Sequence, residues 1–171
     1  MTGEKAKWLA AALIAAALGA TLLAACGSSA SGSDQFRGKT DSALLDFGEE
    51  SDSTELEEAG QVVQSFLTAR AKEDWPATCA QLSQALLSKI EHLAISSTQL
   101  EDQSCPSFLE AFLSISEQER QASTAIDAGS LRRQGTKAFL IYEAREDVYA
   151  MPLRKEGSAW QVDSLAPKQL S

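Results

Sequence analysis

The chain has 171 residues, of which 44% are hydrophobic and 23% charged, and its formal net charge is −9. That length holds one domain and a tail. The acidic balance repels polyphosphate backbones and anionic lipid headgroups, which excludes nucleic-acid binding.

Residues Met1–Lys7 are short and slightly basic, and Trp8–Ala25 carries no charge and is dominated by Ala and Leu. A basic start, an apolar core and small residues before a cleavage point are the parts of a secretory signal. The run ends in Leu23-Ala24-Ala25-Cys26-Gly27, an aliphatic residue and two small residues ahead of a cysteine. Its length also suits a marginal transmembrane helix, so an uncleaved anchor is the competing reading. The Leu-Ala-Ala-Cys stretch resembles the lipobox of bacterial lipoproteins. That resemblance implies removal of residues 1–25, a diacylglyceryl group on the Cys26 thiol and an acyl group on the new amine. The protein would then be held by lipid on the extracytoplasmic face of the cell membrane. Two or more chains give stable anchoring at about 0.8 kcal/mol per buried methylene.

Loss of Met1–Ala25 removes Glu4, Lys5 and Lys7, so the remaining 146 residues carry −10 instead of −9. Three cysteines are an odd number for an exported protein. With Cys26 assigned to lipid, Cys79 and Cys105 remain as an even pair for an oxidising compartment. A bridge between them closes a loop of roughly 27 residues, worth about 3.5 kcal/mol on a chain-entropy account. A metal site built from Cys79, His92 and Cys105 is the alternative, but no pair has the close ligand spacing of structural zinc. No cofactor or metal is indicated.

Residues 26–53 open with Gly27-Ser28-Ser29-Ala30-Ser31-Gly32-Ser33 and continue into an acidic stretch, Asp41–Asp52. This composition predicts a disordered tether. It is interrupted by Ala43-Leu44-Leu45-Asp46-Phe47, either a docking motif for a partner or an island that packs on the domain. The folded domain is expected at 54–168. Thr54 and Glu57 have capping-box spacing, and Leu56, Ala59, Val63, Phe66, Leu67 and Ala69 follow at helical intervals. Pro76 ends that first helix near Asp74 and suits the first turn of a second. The second carries Cys79 and Leu82 and continues, with a break, through Leu86, Leu87, Ile90 and Leu93. Ala94–Ser104 reads as a loop. Cys105-Pro106 opens a third helix with Phe108, Leu109, Phe112, Leu113 and Ile115 as its apolar side, and polar Ser116–Gln121 closes the helical half.

From Ser123 the period changes. Thr124–Arg133, Thr136–Arg145, Val148–Lys155 and Ala159–Leu165 favour strands, with breaks at Gln134-Gly135, Glu146-Asp147 and Glu156-Gly157. The short connections predict an antiparallel four-stranded meander. Along the second strand neither alternating set is purely polar, which predicts a sheet covered by helices on one face and partly sheltered on the other. Pro152 marks an edge or a bulge. Helices followed by a meander give an α+β class.

This order of elements resembles the nuclear-transport-factor-two-like, or SnoaL-like, cone fold. The segments that carry the resemblance are Val62-Val63-Gln64-Ser65-Phe66-Leu67-Thr68-Ala69, Cys79-Ala80-Gln81-Leu82, Cys105-Pro106, Met151-Pro152-Leu153 and Trp160-Gln161-Val162-Asp163-Ser164-Leu165. Secreted lipoproteins of high-GC Gram-positive bacteria are similar in combining such features. The resemblance implies three helices packed on a strongly curved antiparallel sheet that encloses a pocket, in a group that contains both enzymes and non-enzymatic modules. Function therefore has to come from the site. A catalytic member needs a pocket acid or base near a hydrogen-bond donor. His92 falls on the polar side of its helix, and Tyr142 and Tyr149 suit sheet packing. Glu117, Glu119 and Glu143 fall on solvated faces. Asp127, between Ile126 and Ala128, is the one candidate base. No phosphate loop, nucleophile elbow or ligand cluster accompanies it. The expectation is a non-catalytic binding module whose partner is an envelope protein or a small apolar ligand; the alternative is an isomerase- or dehydratase-like enzyme using Asp127.

Overall fold

The computed structural model describes residues 41–97, 102–123 and 125–170. The lipobox and Cys26, the Gly/Ser stretch, part of the predicted loop before Cys105, and Thr124 lie outside the described residues. Helix α1 spans Ser53–Ala71, α2 Trp75–Ala80, α3 Gln84–Ser96, α4 Cys105–Phe112 and α5 Glu117–Ala122. Strands are β1 Glu49–Glu50, β2 Asp127–Gln134, β3 Lys137–Ala144, β4 Asp147–Glu156, β5 Ala159–Val162 and β6 Lys168–Leu170. The protein is α+β. Its open antiparallel sheet has the order β1-β2-β3-β4-β5, with β6 also pairing β4.

Helix α1 begins one residue before the predicted capping box. Asp52 is the N-cap, its carboxylate accepting from the Glu55 amide at 2.9 Å. A carboxylate at this position satisfies a free amide and also faces the positive end of the helix, an advantage Thr54 lacks. The helix buries Ala59, Val63, Phe66 and Leu67. It ends at Ala71, where Glu73 turns the chain through a left-handed backbone (φ 58°). Asp74 then caps α2 with Pro76 in the first turn.

The break between α2 and α3 has a cause in the sheet. Leu82 forms a parallel bridge with Val162, and the Ser83 amide and Gln81 carbonyl bond the Val162 backbone at 2.9 and 2.8 Å. Ser83 caps α3 and its hydroxyl donates to Asp163, whose other oxygen takes Arg154 at 2.9 Å. The predicted loop from Ala94 starts later, since α3 runs on to Ser96. Two apolar positions expected in the core face outwards, Leu93 at 56% and Phe112 at 51% exposure. Cys79 and Cys105 form a disulfide, both buried, that joins α2 to the first residue of α4. The sulfurs are thereby removed as metal ligands, which overturns the Cys79–His92–Cys105 alternative. Polar Ser116–Gln121 largely forms α5, with a complete capping box between Ser116 and Glu119.

All four predicted strands are present. Ala138, Leu140, Tyr142 and Ala144 of β3 join Met151 and Leu153 of β4, Trp160 and Val162 of β5 and the helical residues in one core. The helix–sheet approach is close at Gly60, where a Cβ would lie 3.3 Å from the Ala128 Cβ. On the opposite face Ile141 and Ala150, cross-strand partners, are also buried. Shelter there comes from residues 41–50. Residues 41–45 are helical; Asp41 pairs with Lys168, and the Phe47 ring meets Phe139 edge-on at 4.9 Å. Arg132 then donates to the Phe47 and Gly48 carbonyls, both at 3.1 Å, and β1 adds to β2. Gly48 (φ 53°) is needed at this turn because a Cβ would stand 2.1 Å from the Arg133 carbonyl oxygen. The expected tether through Ser53 is thus replaced, from Asp41 onward, by a strap on the outer sheet face. The apolar island supplies part of that strap.

Among the described residues there are five named helices, a helical stretch at 41–45, and six strands, against three helices and four strands expected. No helix among them is long and apolar enough to cross a membrane.

Candidate functional site

Where the C-terminal turn of α1, helix α5 and the β3–β4 hairpin meet, side chains leave a cavity of about 240 Å³. Its floor is the cross-strand pair Tyr142–Tyr149, with rings stacked at 5.5 Å and 22° between planes. Leu67 and Ala144 supply apolar wall, and Pro167 with Gln169 closes the side next to β6. Both tyrosines face the helices because they share the inward set of their strands.

Arg70 is the unexpected member. It occupies the buried stripe of α1 one turn beyond Phe66 and Leu67 and is only 3% exposed. A buried guanidinium requires a partner, and Glu119 on α5 provides one at 2.6 Å. Glu119 is fixed further by the Ser116 amide at 2.9 Å and the Ser116 hydroxyl at 2.8 Å, both on its second oxygen. Burial pushes the Glu119 carboxyl up, but the Ser116 and Arg70 hydrogen bonds and the Arg70 charge outweigh it and hold the group at about 2. Next to this pair, Arg120 ties α5 to the end of α1, donating to the Ala71 carbonyl at 2.7 Å and to Glu73 at 2.6 Å. The first contact satisfies a carbonyl at the helix C-terminus, where cations are favoured.

The tyrosine hydroxyls are shifted the other way. Burial, then the proximity of Tyr149, raises Tyr142; burial, then Asp147, raises Tyr149. Tyr149 directs its hydroxyl towards Asp147 at a long 3.5 Å. Arg70, Glu119 and the two tyrosines are the ionisable groups that line the cavity. Arg70 has one further property: its Nε is buried and has no hydrogen-bond partner among the described residues.

The sequence-derived candidates fare unequally. Tyr142 and Tyr149 come together in the cavity. Asp127 does not join them. It is exposed at the first residue of β2, opposite the exposed Glu143, and contributes nothing to the cavity wall. The reason is the pleat: Ile126 and Ala128 take the positions packed against the core, so Asp127 points the other way. His92 is exposed on α3. No cluster of three or more His, Cys, Asp or Glu residues among those described is placed to hold a metal ion. Sequence reasoning missed Arg70 and its pairing with Glu119, whose side chain is, as expected, partly solvated at 41% exposure. The available signals were an arginine in phase with the apolar stripe of α1 and the Ser116-x-x-Glu119 capping pattern.

Comparison of the chain with protein-family models, curated proteins and solved structures gave no match.

Proposed function

We propose that this protein is a lipid-anchored, extracytoplasmic, non-catalytic binding module, and that its ligand enters the cavity floored by Tyr142 and Tyr149. One observation carries the second half of the reading. The carboxylate and the two tyrosines lining the cavity are held in states unsuited to proton transfer near neutral pH. Glu119 is fixed as a carboxylate by Arg70 and Ser116, and burial keeps both tyrosines neutral. A general base needs a pKa near the working pH. The cavity instead offers an aromatic floor, fixed charges and apolar walls, which are the parts of a recognition site. An enzyme using Asp127 would have to work from the exposed edge of β2, away from this enclosure.

The first half rests on Leu23-Ala24-Ala25-Cys26 and on the cysteine pair. A disulfide between Cys79 and Cys105 suits an oxidising compartment, and with these two joined, Cys26 remains for lipid. The SnoaL-like cone is the fold proposed for the domain; inward β3 and β4 residues packed on helices, with a cavity between the layers, support it. In cells fed an alkyne-tagged fatty acid, the protein is expected to take up label and partition with membranes. Cys26→Ser should abolish both. Unchanged labelling and retention in that variant would refute the anchor. For the cavity, titration with a small-molecule library should shift the NMR signals of Tyr142, Tyr149 and Gln118; hits confined to other surfaces would remove the binding site from this place.

A further inference from the structure

The polar groups around the cavity are unequally used. Its one carboxylate is consumed: Oε1 of Glu119 takes Arg70, and Oε2 takes two donors from Ser116. The Ser123 hydroxyl donates to the Glu119 carbonyl at 2.7 Å, and the Gln169 amide donates to Asp147 at 2.8 Å. Donors, by contrast, remain. The Arg70 guanidinium gives one nitrogen to Glu119, while its buried Nε finds no acceptor among the described residues. Tyr142 lines the same space, buried and stacked on Tyr149. Arg70 and Tyr142 therefore bring donor-bearing side chains to a space whose one carboxylate is already taken.

We infer that the cavity takes a small aromatic or other planar monocarboxylate, its carboxylate seated between the Arg70 guanidinium and the Tyr142 hydroxyl and its apolar body over the stacked tyrosines. This rests on reading the cavity as a binding site and adds the ligand's class. Three features select that class. Guanidinium donors form a fixed planar fork that matches a carboxylate better than a single carbonyl. The facing tyrosine rings favour a flat apolar body. A volume near 240 Å³ falls just below the usual range for drug-sized ligands, which restricts occupants to small molecules. A dianion is disfavoured because it sets two negative charges beside the Glu119 carboxylate, where a monocarboxylate sets one and offsets it with hydrogen bonds from the guanidinium and hydroxyl.

The test uses the lipidated, oxidised protein in lipid nanodiscs, with benzoate and the isosteric neutral benzamide as probes and empty nanodiscs as control. Isothermal titration is expected to show benzoate binding at least tenfold tighter than benzamide. Tyr142→Phe, which keeps the ring and removes only the hydroxyl, should weaken benzoate several-fold and benzamide less, since the neutral amide oxygen is the weaker acceptor. Arg70→Gln, provided its circular dichroism is that of the wild type, should remove the preference. Equal affinity for the two probes overturns the carboxylate assignment while leaving the cavity as a binding site. Benzoate affinity unchanged in Tyr142→Phe and Arg70→Gln shows that the probe sits elsewhere, and also overturns it. Failure of both probes to bind at millimolar concentration overturns the class, whereas library hits at Tyr142 and Tyr149 would still support the cavity.

Discussion

Replacing Glu119 with Gln removes one charge and keeps the side chain's shape, so its effect reports the contacts of that carboxylate with Ser116 and Arg70 beside the cavity. In the folded protein the Arg70 side chain is 4% exposed and that of Glu119 41%. The Glu119 carboxyl moves from 4.5 to about 2 on folding. At about 1.4 kcal/mol per pH unit this would amount to about 3 kcal/mol for a fully enclosed group. Solvent reaches two-fifths of the side chain, and screening reduces the expected contribution to about 1 kcal/mol. The folded value lies below the unfolded one, so the contribution is complete above pH 4.5 and is lost as pH falls towards 2. The amide that replaces the carboxyl in Glu119→Gln does not titrate. Urea unfolding of the oxidised proteins should therefore show wild type more stable than the variant by about 1 kcal/mol at pH 6. The gap should close between pH 4.5 and 2. A gap that is absent at pH 6, or that stays constant down to pH 2, would refute the account of a Glu119 carboxylate held by Ser116 and Arg70 together.

Other outcomes follow from different parts of the molecule. Cys79→Ser, or reduction of the wild type, should lower stability by about 3.5 kcal/mol because a loop of roughly 27 residues is released; a change under about 0.5 kcal/mol would show that the bridge restrains little. Phe47→Ala removes the edge-on contact with Phe139 and should cost about 2 kcal/mol from burial and ring pairing together. Hydrogen exchange distinguishes its effect from general loosening: the Ser51 amide, bonded to the Leu131 carbonyl at 2.9 Å, should exchange faster while Val162 stays protected. Uniform acceleration would contradict a separately peeling strap.

What could be read from the sequence was what is locally encoded. Turn residues at Gly135 and Gly157 and alternating apolar positions define the four main strands. Parity of the cysteines, once Cys26 is set aside, points to the Cys79–Cys105 pair. The mixed outer face of β3 announced that something shelters Phe139 and Ile141, although not that residues 41–50 supply it. The misses are matters of distance along the chain. β1 and β6 are two and three residues long and exist because β2 and β4 offer them an edge, which no local period records. The break before α3 depends on Val162, nearly eighty residues away. Helix α5 is short and polar, so its apolar pattern is weak, although Ser116 and Glu119 carry its cap in plain view.

The site shows the same division. Tyr142 and Tyr149 are recognisable as inward strand residues, but their pairing needs the β3–β4 register. Arg70 is invisible as a site residue until Glu119, 49 positions later, is placed against it. Asp127 looked reactive because it stands among apolar neighbours, yet those neighbours take the inward side of the strand and leave it in solvent. A charged residue in phase with a buried stripe was the better indicator than a charged residue between two apolar ones.

The central claim is that ligand recognition occurs at the cavity of Tyr142, Tyr149 and Arg70. It is tested most directly by placing a photo-crosslinking amino acid in living cells at Gln118, an exposed residue on the cavity rim, and separately at Asp127. After irradiation and purification, mass spectrometry should find a reproducible small-molecule adduct on the Gln118 variant and none on the Asp127 variant. An adduct confined to Asp127 would contradict the account and move recognition to the outer edge of the sheet.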